Sequence, residues 1–182
     1  MTFTKFLPVA LLIGALAAFS VILTAWFAVA VWPIFISWGM YFLAGAKPSR
    51  LHKEVIGLTG GIAFGYLTLF AAPYYASIFG ATWGLPLTVF TVASIIVLLE
   101  LTDWLELAPA YFLSYAAYFA YVFGNFGGAG TTAANALVPF WILTMVGLVF
   151  GVVSGYLRKK ILEGEGIFGA MQETVFDKER KN

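Results

Sequence analysis

The sequence predicts an all-α polytopic membrane protein: six transmembrane helices forming two inverted three-helix repeats, with both termini in the cytoplasm. Three observations predict it. The 182 residues are 62% hydrophobic and 10% charged, with a mean hydropathy of +0.92; a soluble domain is about half apolar and a quarter charged. An aromatic octet, FISWGMYF at residues 35–42, returns as FLSYAAYF at 112–119, and a repeated element of this kind marks a duplicated unit. Finally, six crossings put every Lys and Arg on one side of the membrane: Lys5, the loop from Lys47 to Lys53, and the end from Arg158 onward. The excess of Lys and Arg on cytoplasmic loops then fixes the orientation.

A crossing needs about 20 apolar residues. The first helix is expected at about 6–25 and the second at about 29–45, with Trp26 and Trp32 flanking an uncharged turn at headgroup level. Apolar character from Phe6 to Ala46 is too long for a signal peptide, so the first run is read as a retained helix. A polar loop with Lys47, Pro48, Arg50, His52, Lys53 and Glu54 precedes the third helix, at about 55–72 and ending before Pro73. The fourth is placed at about 83–101. Glu100, Asp103 and Glu106 follow around Trp104, read as a solvated helix end on the inner side. Pro109 starts the fifth helix, to about 125, and the sixth runs from about 138 to 157. The transmembrane domain is thus 1–160, with repeat halves at about 6–72 and 83–157. Residues 161–182 form a polar tail in which Ile167, Phe168, Met171 and Val175 have roughly helical spacing.

Three crossings per half is an odd number, so the second half is inverted relative to the first. Transport sites commonly lie at mid-depth near the axis relating such halves. The first and fourth helices resemble each other only in hydrophobicity. Glycines four apart, Gly57, Gly61, Gly65 and Gly147, Gly151, Gly155, follow the two octets and make smooth helix faces for close packing. Phe35, Trp38 and Phe42 share one helix face, as do Phe112, Tyr115 and Phe119. With Ser37, Ser114, Tyr41 and Tyr118 as hydrogen-bonding groups, these faces form either an aromatic slot for a small planar polar solute or bundle and subunit packing.

The absences narrow the function. There is no Cys, so disulfides and Cys-ligated metals are excluded. A net charge of +1 gives no case for a nucleic-acid partner. The expected spans hold no ionisable residue except Glu100 near an inner end, which disfavours proton and ion pathways. No carboxylate pair, metal cluster or phosphate loop is visible, so neither an enzyme nor a bound cofactor is expected.

At WPIFISWGMYFLAG (32–45), PAYFLSYAAYFA (109–120) and GLVFGVVSGY (147–156) the chain resembles a family of small bacterial inner-membrane proteins known as domain of unknown function 1097. The likeness covers about 28–156 and implies a bacterial inner membrane and a six-helix fold. It implies no activity and no site residue. The residues themselves lead to an expected channel or facilitator for a small uncharged polar solute of the urea, short-amide or ammonia kind, assembled as a homo-oligomer in the bilayer. The alternatives are a non-transporting assembly or regulatory subunit and a coupled secondary transporter.

Overall fold

A computed structural model describes residues 3–166. The tail positions Ile167, Phe168, Met171 and Val175 lie outside the described residues. Within them every regular element is helical, and there are six helices: α1 (Phe3–Trp26), α2 (Trp32–Leu43), α3 (Leu51–Phe79), α4 (Ala81–Leu99), α5 (Ala108–Phe123) and α6 (Ala133–Gly164). A single 3₁₀ turn, Pro48–Arg50, leads into α3.

Helices α1, α3 (with the 3₁₀ turn before it), α4 and α6 are long and apolar enough to cross a membrane. The two octet helices are the short ones. At 1.5 Å per residue, the 12 residues of α2 and the 16 of α5 span about 18 and 24 Å, less than the ~30 Å of a hydrocarbon core. Both begin at a proline, Pro33 or Pro109, in the first turn, where a missing N–H costs no helical hydrogen bond.

Helix α3 runs past its expected end because Pro73 does not stop it: the segment after residue 72 continues as helix to Phe79. Helix α6 begins at Ala133, before its expected start at about 138, with Pro139 inside it. Each such proline removes one backbone donor and relaxes a turn rather than ending the helix, a cost neighbouring elements absorb in membrane bundles. What ends α3 is Gly80, whose φ of +88° lies in the left-handed region. Gly80→Ala is therefore expected to lower the melting temperature in detergent, by the roughly 1 kcal/mol of placing a Cβ at positive φ. Helices α1 and α4 share one detail: Pro8 and Pro86 are each the sixth residue of their helix.

The chain divides into two compact units, one of residues up to Leu51 together with those from Met145, the other of His52–Thr144. The first unit therefore holds α1, α2 and the later part of α6. The second holds nearly all of α3, with α4, α5 and the beginning of α6. Each takes its α1–α2 or α4–α5 pair from one sequence half and its main partner helix from the other.

In the first unit, Lys5 Nζ donates to the Glu165 carbonyl at 3.1 Å, tying the start of α1 to the residue after α6. Phe19 of α1 stacks on Phe150 of α6. In the second unit, Val92, Ile96, Ala108, Tyr111 and Tyr115 form a core between α4 and α5, with Ile56 and Phe64 of α3 packed against it. Lys53 pairs with Glu106 at 2.5 Å, and His52 meets the Trp104 ring edge-on, so the acidic segment after α4 lies at the start of α3.

Candidate functional site

The octet helices meet the glycine faces, and they do so crosswise. Helix α2 lies against the Gly147–Gly151–Gly155 face of α6, and α5 lies against the Gly57–Gly61–Gly65 face of α3. A Cβ at Gly147 would overlap Ser37 Oγ and the Ile34 carbonyl oxygen, and stand 2.9 Å from the Ile34 carbonyl carbon. A Cβ at Gly61 would overlap Ser114 Oγ and the Tyr111 carbonyl oxygen, and again stand 2.9 Å from that carbonyl carbon. One turn on, Tyr41 fills the space before Gly151 and Tyr118 that before Gly65, each at 2.7 Å from a Cβ built there. Gly155 also faces the Tyr41 ring, and Gly57 faces Ala110.

The serines belong to these contacts. Both are buried, and each hydroxyl donates back to carbonyls of its own helix. Ser37 reaches Pro33 and Ile34 at 3.2 and 3.3 Å; Ser114 reaches Ala110 and Tyr111 at 2.8 and 3.2 Å. Bonding to the preceding turn satisfies the hydroxyl internally and lets the two helix backbones approach.

These contacts set a register that spacing alone leaves open. Gly61 corresponds to Gly147 and Gly65 to Gly151, so the two glycine triplets are one turn out of step. In that register GIAFGYLTLF (61–70) lies over GLVFGVVSGY (147–156), matching Phe64 with Phe150 and Thr68 with Ser154. The sequence reading picked out neither hydroxyl; this ten-residue match is the signal that would have found them.

Both hydroxyls hold an octet aromatic. Trp38 Nε1–H donates to Ser154 Oγ at 2.8 Å, and Ser154 donates in turn to the Gly151 carbonyl at 3.0 Å. Thr68 Oγ1 lies 3.0 Å from the Tyr115 hydroxyl and 2.8 Å from the Phe64 carbonyl. A carbonyl only accepts, so the threonine proton goes to Phe64 and Tyr115 is the donor. The order is the same in both units: aromatic donor, aliphatic hydroxyl, backbone carbonyl of the preceding turn. Trp38 and Tyr115 are equally sealed, 5% and 6% exposed.

The remaining octet residues divide by depth. Phe35 and Phe112 are 39% and 37% exposed at the outer edge of their helix faces. Phe35 stacks on Trp38, and Trp38 tilts against Phe150 at 5.4 Å. Phe42 is half-buried, edge-on to Tyr41. Phe119 is half-buried between Tyr115, at 4.6 Å, and Phe123. Tyr118 is fully buried; its ring meets Phe140 edge-on and its hydroxyl donates to the Ala133 carbonyl at the start of α6.

A model of the family described as a protein of unknown function, DUF1097, matches residues 10–161. The chain belongs to this family. No curated protein and no solved structure matches it. In this DUF1097 protein the match takes in both octets, both glycine faces, and Thr68 and Ser154. It also takes in Glu54, which the sequence reading placed in a loop. Glu54 is the fourth residue of α3 and fully buried. Its position next to Lys53 in a polar run gave no sign of this; burial came from α3 starting four residues earlier than expected.

Proposed function

We propose that this protein is a passive channel or facilitator for a small uncharged polar solute of the urea, short-amide or ammonia kind. It is built as two inverted three-helix repeats in a bacterial inner membrane. One observation carries the reading: the octet–glycine crossing occurs twice, with the same serine, tyrosine and hydrogen-bond order each time. Two-fold internal repeats are the common architecture of membrane transport proteins, and short apolar segments at corresponding places in the two halves point to the solute site. Here those segments are α2 and α5. Their aromatic rings suit the faces of a small planar solute. Trp38 and Tyr115 are the constriction residues.

The Lys5–Glu165 contact supports both termini lying on one side, and the placement of Lys and Arg supports that side being the cytoplasm. The protein works as a homo-oligomer, with apolar side chains exposed on its long helices available for lipid and subunit contacts.

Stopped-flow light scattering of proteoliposomes tests the reading, with urea, acetamide, glycerol and ammonia as solutes. Selective flux of one of them is expected, changed by both Trp38→Ala and Tyr115→Ala. Flux no greater than that of empty liposomes for all four would sink it. A membrane assembly subunit would then lead, checked by loss of a co-purifying partner on deletion of residues 163–182.

One observation favours a second reading, a coupled secondary transporter. Glu54 is a fully buried carboxyl in the first turn of a helix long enough to cross the membrane. Such residues are costly in a membrane and typically mark ion or proton routes. Flux that follows an imposed proton gradient and loses that dependence in Glu54→Gln would select this reading over passive flow.

A further inference from the structure

The geometry points to Thr68 and Ser154 as positioning residues of the solute path: each fixes the ring of one constriction residue, Tyr115 or Trp38, and so sets which solutes pass. This rests on the channel reading.

The proton of each hydroxyl is already committed within its own helix. Ser154 donates to the Gly151 carbonyl and Thr68 to the Phe64 carbonyl, so each oxygen is left oriented as an acceptor. The group donating to it is the single polar proton of the facing aromatic, indole N–H or phenol O–H. Each ring is therefore held from its polar tip, as well as from its faces by Phe35 and Phe150 or by Phe119. Rings held only by other rings can tilt between packed arrangements; a directional bond to a side chain one helix away selects one of them. Thr68 and Ser154 also differ from the other buried hydroxyls of the long helices. Ser20, Thr24, Thr88 and Thr144 bond only to carbonyls of their own helix.

Place along the helices gives the pair its consequence. Thr68 is seven residues past Gly61 in α3, and Ser154 seven past Gly147 in α6. Each tether therefore stands two turns beyond the close octet–glycine crossing of its own unit and holds the ring of that unit's own octet.

The test measures solute preference rather than rate, using the full chain in proteoliposomes. The acetamide-to-urea flux ratio is expected to change by roughly fivefold in Ser154→Ala and in Thr68→Val, the effect of one neutral hydrogen bond on an equilibrium. Ser154→Thr and Thr68→Ser keep the hydroxyl and are expected to keep the wild-type ratio. Tyr115→Phe removes only the donor and is expected to match Thr68→Val, which covers the case of a valine variant that does not fold. With 5-fluorotryptophan incorporated, the Trp38 resonance, assigned through Trp38→Phe, is expected to move in Ser154→Ala and to stay in Ser154→Thr. Wild-type flux with an unchanged ratio in Ser154→Ala, Thr68→Val and Tyr115→Phe overturns the positioning role and leaves the channel standing. Absence of wild-type flux overturns the channel and this role together.

Discussion

Gly61→Val and Gly147→Val are each expected to destabilise the protein by about 3 kcal/mol or more, the upper end of overpacking costs. A branched side chain is larger than the Cβ that already overlaps a serine oxygen and a backbone carbonyl at both positions. The serine hydroxyl can rotate away, but the carbonyl belongs to a helix backbone and moves only if that helix moves. Helices α2 and α5 would then lift off their partners, and the Trp38–Ser154 and Tyr115–Thr68 bonds, two turns further along, would lengthen with them. Thermal unfolding in detergent, followed by tryptophan fluorescence, measures the loss. Gly14→Ala and Gly39→Ala are the controls. Nothing lies within 4 Å of a Cβ at either site, so each is expected to be neutral or to gain up to about 1 kcal/mol from lower chain entropy. Equal effects at Gly61 and Gly14 would show that the close crossing does not hold the helices together.

Tyr118→Ala is expected to cost about 3–5 kcal/mol, the range for emptying a large aromatic site. Tyr118 is among the largest fully buried side chains, wedged between Gly65 and the Phe140 ring, with its hydroxyl on the Ala133 carbonyl. Tyr118→Phe keeps the wedge and removes only the hydroxyl's bond to that carbonyl, at the first residue of α6. A loss of about 1 kcal/mol is expected, since a first-turn carbonyl keeps its intrahelical N–H donor. The ratio of the two effects separates ring packing from hydrogen bonding. Comparable losses would mean that the hydroxyl, rather than the ring, secures the start of α6.

The two sites differ in how far they could be read beforehand. Glycines four apart after each octet are visible in the sequence, and so is the shared face of Phe35, Trp38 and Phe42, because helical periodicity is a local property. The crosswise pairing is not visible. A glycine face states that something approaches closely, not which helix does. That α2 packs on α6 depends on shape matches between segments more than 100 residues apart. Thr68 and Ser154 went unnoticed for the same reason: threonine and serine are ordinary in an apolar helix until an indole or a phenol is seen to point at them. Pro73 misled for a different reason. A proline is a strong stop signal in water, where the freed carbonyl is easily solvated, yet Pro73 sits inside a continuous helix here.

By itself the sequence determined an all-helical chain with spans apolar enough for a membrane, a duplicated aromatic octet, and membership of the DUF1097 family. Composition and short-range periodicity suffice for these, since each residue contributes whatever its distant neighbours are. Only the tertiary structure decided that α2 and α5 are short, that Glu54 is sealed, and that each octet helix packs on the third helix of the other half. The physical reason is that packing is decided by complementary surfaces meeting at van der Waals distance. Whether a serine oxygen fits against a glycine Cα is a property of two segments in space, and neither segment carries it alone.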